Sequence, residues 1–177
     1  MMAAGQRLFG LVVAVSLIFA MGCASSGLQS DDLYPDTPEF QISDDADIAD
    51  TEDHRQVLEV LYEYRMALVT KDFGTLNRLV SEDYYDNAGT THTTEDDYGY
   101  DNLPEVFELL ANYADEIQYG IKVRALEVDG RQASVDFRYD YAYRFKMGDQ
   151  ETWDAGSDMN RLEMRREGDV WRITGGM

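Results

Sequence analysis

One cysteine, two histidines and a run of acids are the residues of this 177-residue chain whose types could do chemistry. Cys23 is the only cysteine, so no internal disulfide can form, and in an oxidising compartment its thiol would stay free and reactive. His54 sits among acids at the start of a predicted helix, and His92 lies in the polar run Thr90-Thr91-His92-Thr93-Thr94. Neither belongs to a Cys/His cluster with zinc-ligand spacing. The segment Glu82–Asp101 holds seven acids (Glu82, Asp83, Asp86, Glu95, Asp96, Asp97, Asp101) and no Lys or Arg. A hard cation could use such oxygens, but the spacing matches no calcium loop and reads as a solvated surface. No phosphate loop, nucleophile elbow or dinucleotide fingerprint occurs. The expectation is no metal and no cofactor. A formal charge of −20 repels polyanions, which sets nucleic acid aside as a partner.

The thiol has a context. Met1–Arg7 carries one positive charge, and Leu8–Ala20 is apolar and uncharged. Thirteen residues fall short of the roughly 20 that span a bilayer. A basic start, a short apolar stretch and small residues at its end describe an export signal. The close, Ala20-Met21-Gly22-Cys23, resembles the bacterial lipobox, with Ala20 in place of the commoner leucine. That resemblance implies cleavage after residue 22, acylation of Cys23 with palmitate-type chains, and a firm membrane anchor, since two or more chains are needed for stable residence. Alanine rather than aspartate at position 24 implies the outer membrane. Ala24–Asp50 then carries eight acids, no Lys or Arg, and Pro35 and Pro38. Low hydrophobicity with one sign of charge predicts a disordered tether over 23–50, with a reach on the order of 30 Å. Residues 51–177 have the size of one domain.

Within that domain the periodicity changes once. Val57, Leu58, Leu61, Tyr64, Leu68 and Val69 recur at helical spacing behind Asp50 or Thr51 as N-cap. Asp72 is placed to cap a short helix bearing Leu76, Leu79 and Val80. Pro104 opens a third helix, with Val106, Leu109, Leu110 and Tyr113 on one face. From Ile117 the period is two, with a parity slip before Leu126 that predicts a bulge and a turn at Asp129-Gly130. Val135, Phe137, Tyr139, Tyr141, Tyr143, Phe145 and Met147 share one strand face; Asp136, Arg138, Asp140, Arg144 and Lys146 share the other. Gly148-Asp149 should turn the chain. Strands near Thr152–Trp153, Arg161–Arg166 and Val170–Thr174 follow, with a turn at Gly168-Asp169. Helices first and hairpin-linked strands afterwards predict an α+β fold with helices on one face of an antiparallel sheet.

The run from Leu61 through Lys71-Asp72-Phe73-Gly74 to Asp83-Tyr84 resembles the opening of the nuclear transport factor 2-like superfamily, the SnoaL-like domains. The closing stretch from Asn160-Arg161-Leu162 to Val170-Trp171-Arg172-Ile173 is similar to that superfamily's last hairpin. The resemblance implies a cystatin-like cone, a curved sheet wrapped around the first helices with a cavity inside. It is nearly silent on function, because the fold hosts isomerases, cyclases, dehydratases and association modules. Similarity to its steroid isomerases places the oxyanion-hole tyrosine on Tyr64. The proton-shuttling aspartate falls on Ala88, with Asp86 just before it, and the second acid falls near Asn160, with Asp158 two residues away. Tyr64, Asp86 and Asn160 are therefore the catalytic candidates. The plainer alternative makes Tyr64 a core residue and Asp86 a turn cap. An open cone would be lined by Tyr64, Tyr119, Phe137, Tyr139, Tyr141 and Trp153, a wall suited to a small apolar or amphipathic ligand. Three readings follow: a tethered binding domain without catalysis, an isomerase or lyase using Tyr64 and Asp86, and a module that forms a homodimer through the outer sheet face.

Overall fold

The computed structural model describes residues 27–88, 92–147 and 150–177. The export signal, Cys23 and the turn at Gly148-Asp149 lie outside the described residues.

Strand β1 (Phe40–Ile42) precedes three helices: α1 (Glu52–Thr70), α2 (Phe73–Leu79) and α3 (Leu103–Tyr113). Between α2 and α3 runs a two-residue ladder of β2 (Tyr85–Asp86) and β3 (Tyr98–Gly99). Four long strands follow: β4 (Ala114–Asp129), β5 (Gln132–Met147), β6 (Gln150–Glu167) and β7 (Val170–Gly175). The main sheet has the order β1-β4-β5-β6-β7, parallel only between β1 and β4. The predicted strand segments near Thr152 and Arg161 are one continuous β6. The register slips between Val123 and Ala125, where the parity of the sequence changes. Gly130 and Gly168 take φ of 60° and 63° at the two tight turns, a conformation that glycine adopts without strain.

The caps follow side-chain chemistry. Thr51 accepts from the His54 amide at 3.3 Å and Asp72 from the Thr75 amide at 2.9 Å, satisfying helix N–H groups that would otherwise lack partners. Asp50 instead holds Arg55 with both carboxylate oxygens. Val57, Leu58, Leu61, Tyr64 and Leu68 bury one stripe of α1 against the sheet. Arg65, only 6% exposed, donates its Nε–H to the Tyr119 carbonyl at 2.7 Å and locks α1 to β4.

Two expectations need correction. Residues 27–50 are not a tether: Leu28, Phe40, Ile42, Ala46 and Ile48 are buried in the same core as α1. Phe40 stands edge-on to Tyr34 and Tyr62, and those two rings stack at 3.9 Å. The Ser43 amide donates to the Val123 carbonyl at 2.8 Å, continuing the β1–β4 pairing. The acids of this stretch stay at the surface while five scattered apolar side chains dock, so mean composition concealed the contacts. The second correction concerns α3. Its buried side chains are Leu103 and Phe107, with Phe107 stacked on Phe73 of α2 at 5.5 Å. Val106, Leu109 and Tyr113 face outward, because the helix meets the body along the 103–107 line rather than the 106–113 line.

Candidate functional site

A cleft of about 780 Å³ opens where α1, the inner face of β4–β6 and the last residues of the chain meet. Tyr64, on the buried stripe of α1, and Tyr119, pointing inward from β4, form its floor, 4% and 5% exposed. Their rings meet edge to face with centroids 6.3 Å apart. Tyr139 and Tyr143 build the wall from β5. Tyr139 stacks on Tyr119 at 5.2 Å and 20°.

These hydroxyls are donors. Burial pushes Tyr64 and Tyr119 far above the ordinary tyrosine range. Burial also raises Tyr139 and Tyr143, helped by the negative charge of Asp158 on Tyr139 and, on Tyr143, by the neighbouring phenols and Asp154. All four stay neutral at physiological pH and offer O–H groups rather than oxyanions.

The structure brings the three catalytic candidates together, since Tyr64, Asp86 and Asn160 all line this cleft. It also gives two of them structural work. Asp86 accepts from the Ala88 amide at 2.7 Å, the Gly176 amide at 3.0 Å and the Tyr84 hydroxyl at 3.2 Å. Asn160 donates to the Gly176 carbonyl at 2.8 Å and accepts from the Arg161 amide. Both residues therefore clamp the segment Gly175–Met177 along the rim. Gly176 has φ of 83°, and a Cβ there would fall 1.9 Å from the Arg161 carbonyl oxygen, so only glycine fits. Tyr98 completes the clamp by donating to the Met177 carbonyl at 2.7 Å.

Of the six residues expected to form a ligand wall, Tyr64, Tyr119 and Tyr139 line this cleft and the other three do not. Phe137 is fully buried, below the cleft. Tyr141 leans across Gly156, where a Cβ would lie 2.9 Å from its hydroxyl, and does not line the cleft. Trp153 pairs with Arg144 in the register, so it sits on the outer sheet face, 47% exposed, with the Arg144 guanidinium 5.9 Å from its ring. Its parity relative to β5 depends on the turn between them, which the periodicity of β6 alone did not fix. Tyr143 was legible from alternation. The Gly175–Met177 rim carried no sequence signal beyond two adjacent glycines. His54 makes a local contact with Thr51, and His92 is exposed. Among the described residues no group of three or more His, Cys, Asp or Glu side chains converges as a metal site would. No helix among them is long and apolar enough to cross a membrane.

At the level of sequence, no family model matches the chain, and neither does any curated protein. Solved structures do resemble it. A protein of the NTF2-like family from Streptomyces avermitilis superposes with a TM-score of 0.56 at 18% identity, over 70% of this chain and 93% of its own. A ketosteroid isomerase-like protein from Erwinia carotovora atroseptica SCRI1043 gives 0.57 at 16% identity, over 71% and 94%. A hexachlorocyclohexane dehydrochlorinase gives 0.56 at 14%, over 70% and 82%. At such identities the likeness concerns architecture alone. Helices packed on one face of a curved mixed sheet, with a cleft between them, give this chain the fold of the nuclear transport factor 2-like, SnoaL-like proteins.

Proposed function

We propose that this chain is a lipid-anchored envelope protein whose cone binds a small amphipathic ligand without transforming it. The observation that carries the binding reading is the cleft itself: neutral phenol donors on aromatic walls, in a volume of about 780 Å³, within the range of small-molecule sites. The non-catalytic reading rests on Asp86 and Asn160. Their polar atoms already hold the rim segment, and a proton shuttle must be free to approach and leave a substrate carbon. The anchor rests on the sequence alone, on Cys23 behind an export-like segment.

A second reading, an isomerase or lyase with Tyr64 as oxyanion donor and Asp86 as base, is favoured by the convergence of Tyr64, Asp86 and Asn160 on one cleft. The names of the isomerase-like and dehydrochlorinase neighbours fit it too. A homodimer through the outer sheet face is favoured by Trp153 and Met159, which stand 47% and 56% exposed there.

One experiment separates binding from turnover. The full chain is titrated with small amphipathic compounds, and each bound compound is then recovered. It should return chemically unchanged, with Tyr143→Ala weakening binding about tenfold, as loss of an aromatic contact does. Conversion of the compound, abolished in Asp86→Asn, would replace this reading with the second. For the anchor, Cys23→Ser should leave the membrane fraction, and unchanged fractionation would count against lipidation.

A further inference from the structure

The main sheet ends on two edges that the chain treats differently. On one side β1 covers β4 at 121–123, and two cations cap carbonyls further along. Arg65 Nε donates to the Tyr119 carbonyl at 2.7 Å, and Lys71 Nζ to that of Ala114 at 3.0 Å. On the other side β7 pairs with β6 only over 163–167. No strand among the described residues lies beyond β6 over 150–162.

Which backbone groups point outward along that edge follows from the register. The Arg166 amide donates to the Arg131 carbonyl, and the β5–β6 pairing then runs without a slip back to Gln150. Even-numbered residues of β6 therefore bond to β5, and odd-numbered residues turn N–H and C=O away from it. Side-chain capping agrees. The outward amides of Met159 and Arg161 are taken by the Asp158 and Asn160 side chains, each at 2.8 Å. Glu151, Trp153, Ala155 and Ser157 have no such cap. Over 151–157 there is also no Lys, Arg, Pro or bulge, the devices that keep a bare edge from recruiting another strand.

The flanking side chains specify what an added strand should carry. Asp154 and Asp158 stand on the inner face, opposite Tyr143 and Tyr139, about 13 Å apart along β6. Neither pairs with a cation among the described residues, whereas Glu151 meets Arg144 at 3.6 Å. On the outer face Trp153 is 47% exposed, with Ala155 exposed beside it. A strand laid there meets acids on one face and apolar surface on the other. A second copy would only add its own Asp154 and Asp158 to a face that already lacks a cation.

We propose that residues 151–157 are a docking edge for a partner protein, which adds an extended segment of alternating basic and apolar residues as an antiparallel strand beyond β6. Its backbone bonds the outward amides and carbonyls. Its basic side chains lie beside Asp154 and Asp158, and its apolar side chains cover Trp153 and Ala155. The inference does not depend on what the cleft binds.

The probe is a capped peptide, Thr-Lys-Val-Lys-Val-Lys-Thr, titrated into the full chain at low ionic strength. One companion has Glu for every Lys. Another keeps the side chains but is N-methylated on both Val residues, whose amides would face β6. The basic peptide should bind about tenfold or more tightly than either, and added salt should weaken it. Hydrogen exchange at the Trp153 and Ala155 amides should slow when it binds. Ala155→Pro removes an N–H that β5 does not use, so it should fold and lose the peptide. If it melts early, the N-methylated peptide carries the same test on the unaltered chain. Asp154→Asn with Asp158→Asn, both exposed, should weaken binding about fivefold or more. Asp44→Asn with Asp47→Asn, exposed positions on the 27–50 segment, should leave it unchanged. Equal binding of either companion peptide, binding that survives a folded Ala155→Pro, or equal losses in the two Asn pairs overturns the edge assignment. So does failure of the basic peptide to bind. Self-association of the chain through this edge, abolished by Ala155→Pro, would make a second copy the occupant and overturn the proposal too.

Discussion

The two halves of β5 carry the same alternation and have different fates. At Val135 and Phe137 the inward side chains are sealed under α1 and wholly buried. From Tyr139 to Phe145 the inward rings are only partly covered, although they stand on the same face of the same strand. The difference lies in what packs on top. Val135 and Phe137 belong to one buried cluster with Val57, Leu58 and Leu61 of α1 and Leu76 of α2, which covers the first half. The second half runs beyond β7, which pairs with β6 only over Glu163–Glu167. Alternation thus assigns a face, while depth is set by neighbours distant in sequence. The sealed half holds the fold, and the open half supplies the cleft wall.

The largest test of this contrast is Phe137→Ala. A fully buried ring replaced by a cavity should cost roughly 3–5 kcal/mol in a urea melt. A loss under about 1 kcal/mol would mean that the sealed half is not sealed. Next comes Ile48→Ala, in the acidic segment that docks on the same core, at 1% exposure. It should cost about 2–4 kcal/mol, whereas a free tether would register almost nothing. Limited proteolysis agrees with docking only if residues 28–50 resist cleavage along with the body.

Tyr143→Ala sits on the open half, and its stability loss should be about 1 kcal/mol, while its effect on ligand affinity should be plain. Equal losses for Tyr143→Ala and Phe137→Ala would erase the distinction between wall and core. The smallest effect concerns the outer face. The Arg161 guanidinium, hydrogen-bonded to Asp136, holds that carboxyl below its ordinary range, against a weaker upward push from burial. A depressed folded value stabilises the protein above the unfolded carboxylate range, near pH 4, and the gain disappears as pH falls through the folded value. Asp136→Asn should therefore melt slightly below the parent at pH 7, by about 2 °C or less for an exposed pair, and the gap should close below pH 4. A gap that persists or widens in acid would contradict the pairing.

Much of the architecture was legible because it is local. The buried stripe of α1, the caps at Thr51 and Asp72, the slip before Leu126 and the glycine turns at 130 and 168 each depend on residues within a few positions. Tyr64 and Tyr119 followed from that periodicity and from the resemblance it supported. The docking of 27–50 was not legible, because eight acids dominate its mean while Leu28, Phe40 and Ile48 choose partners far along the chain.

What the sequence determined by itself is therefore the order of elements, their inward faces and the phenols that could meet a ligand. Tertiary structure decided which phenols line the cleft. It put Trp153 outside through its pairing with Arg144, turned Tyr141 over Gly156, and drew Asp86 and Asn160 onto the Gly176 backbone. Side-chain periodicity is written in neighbouring residues, but a cleft is the space left between elements, and its shape exists only once strands 20 to 90 residues apart have paired or closed on one another.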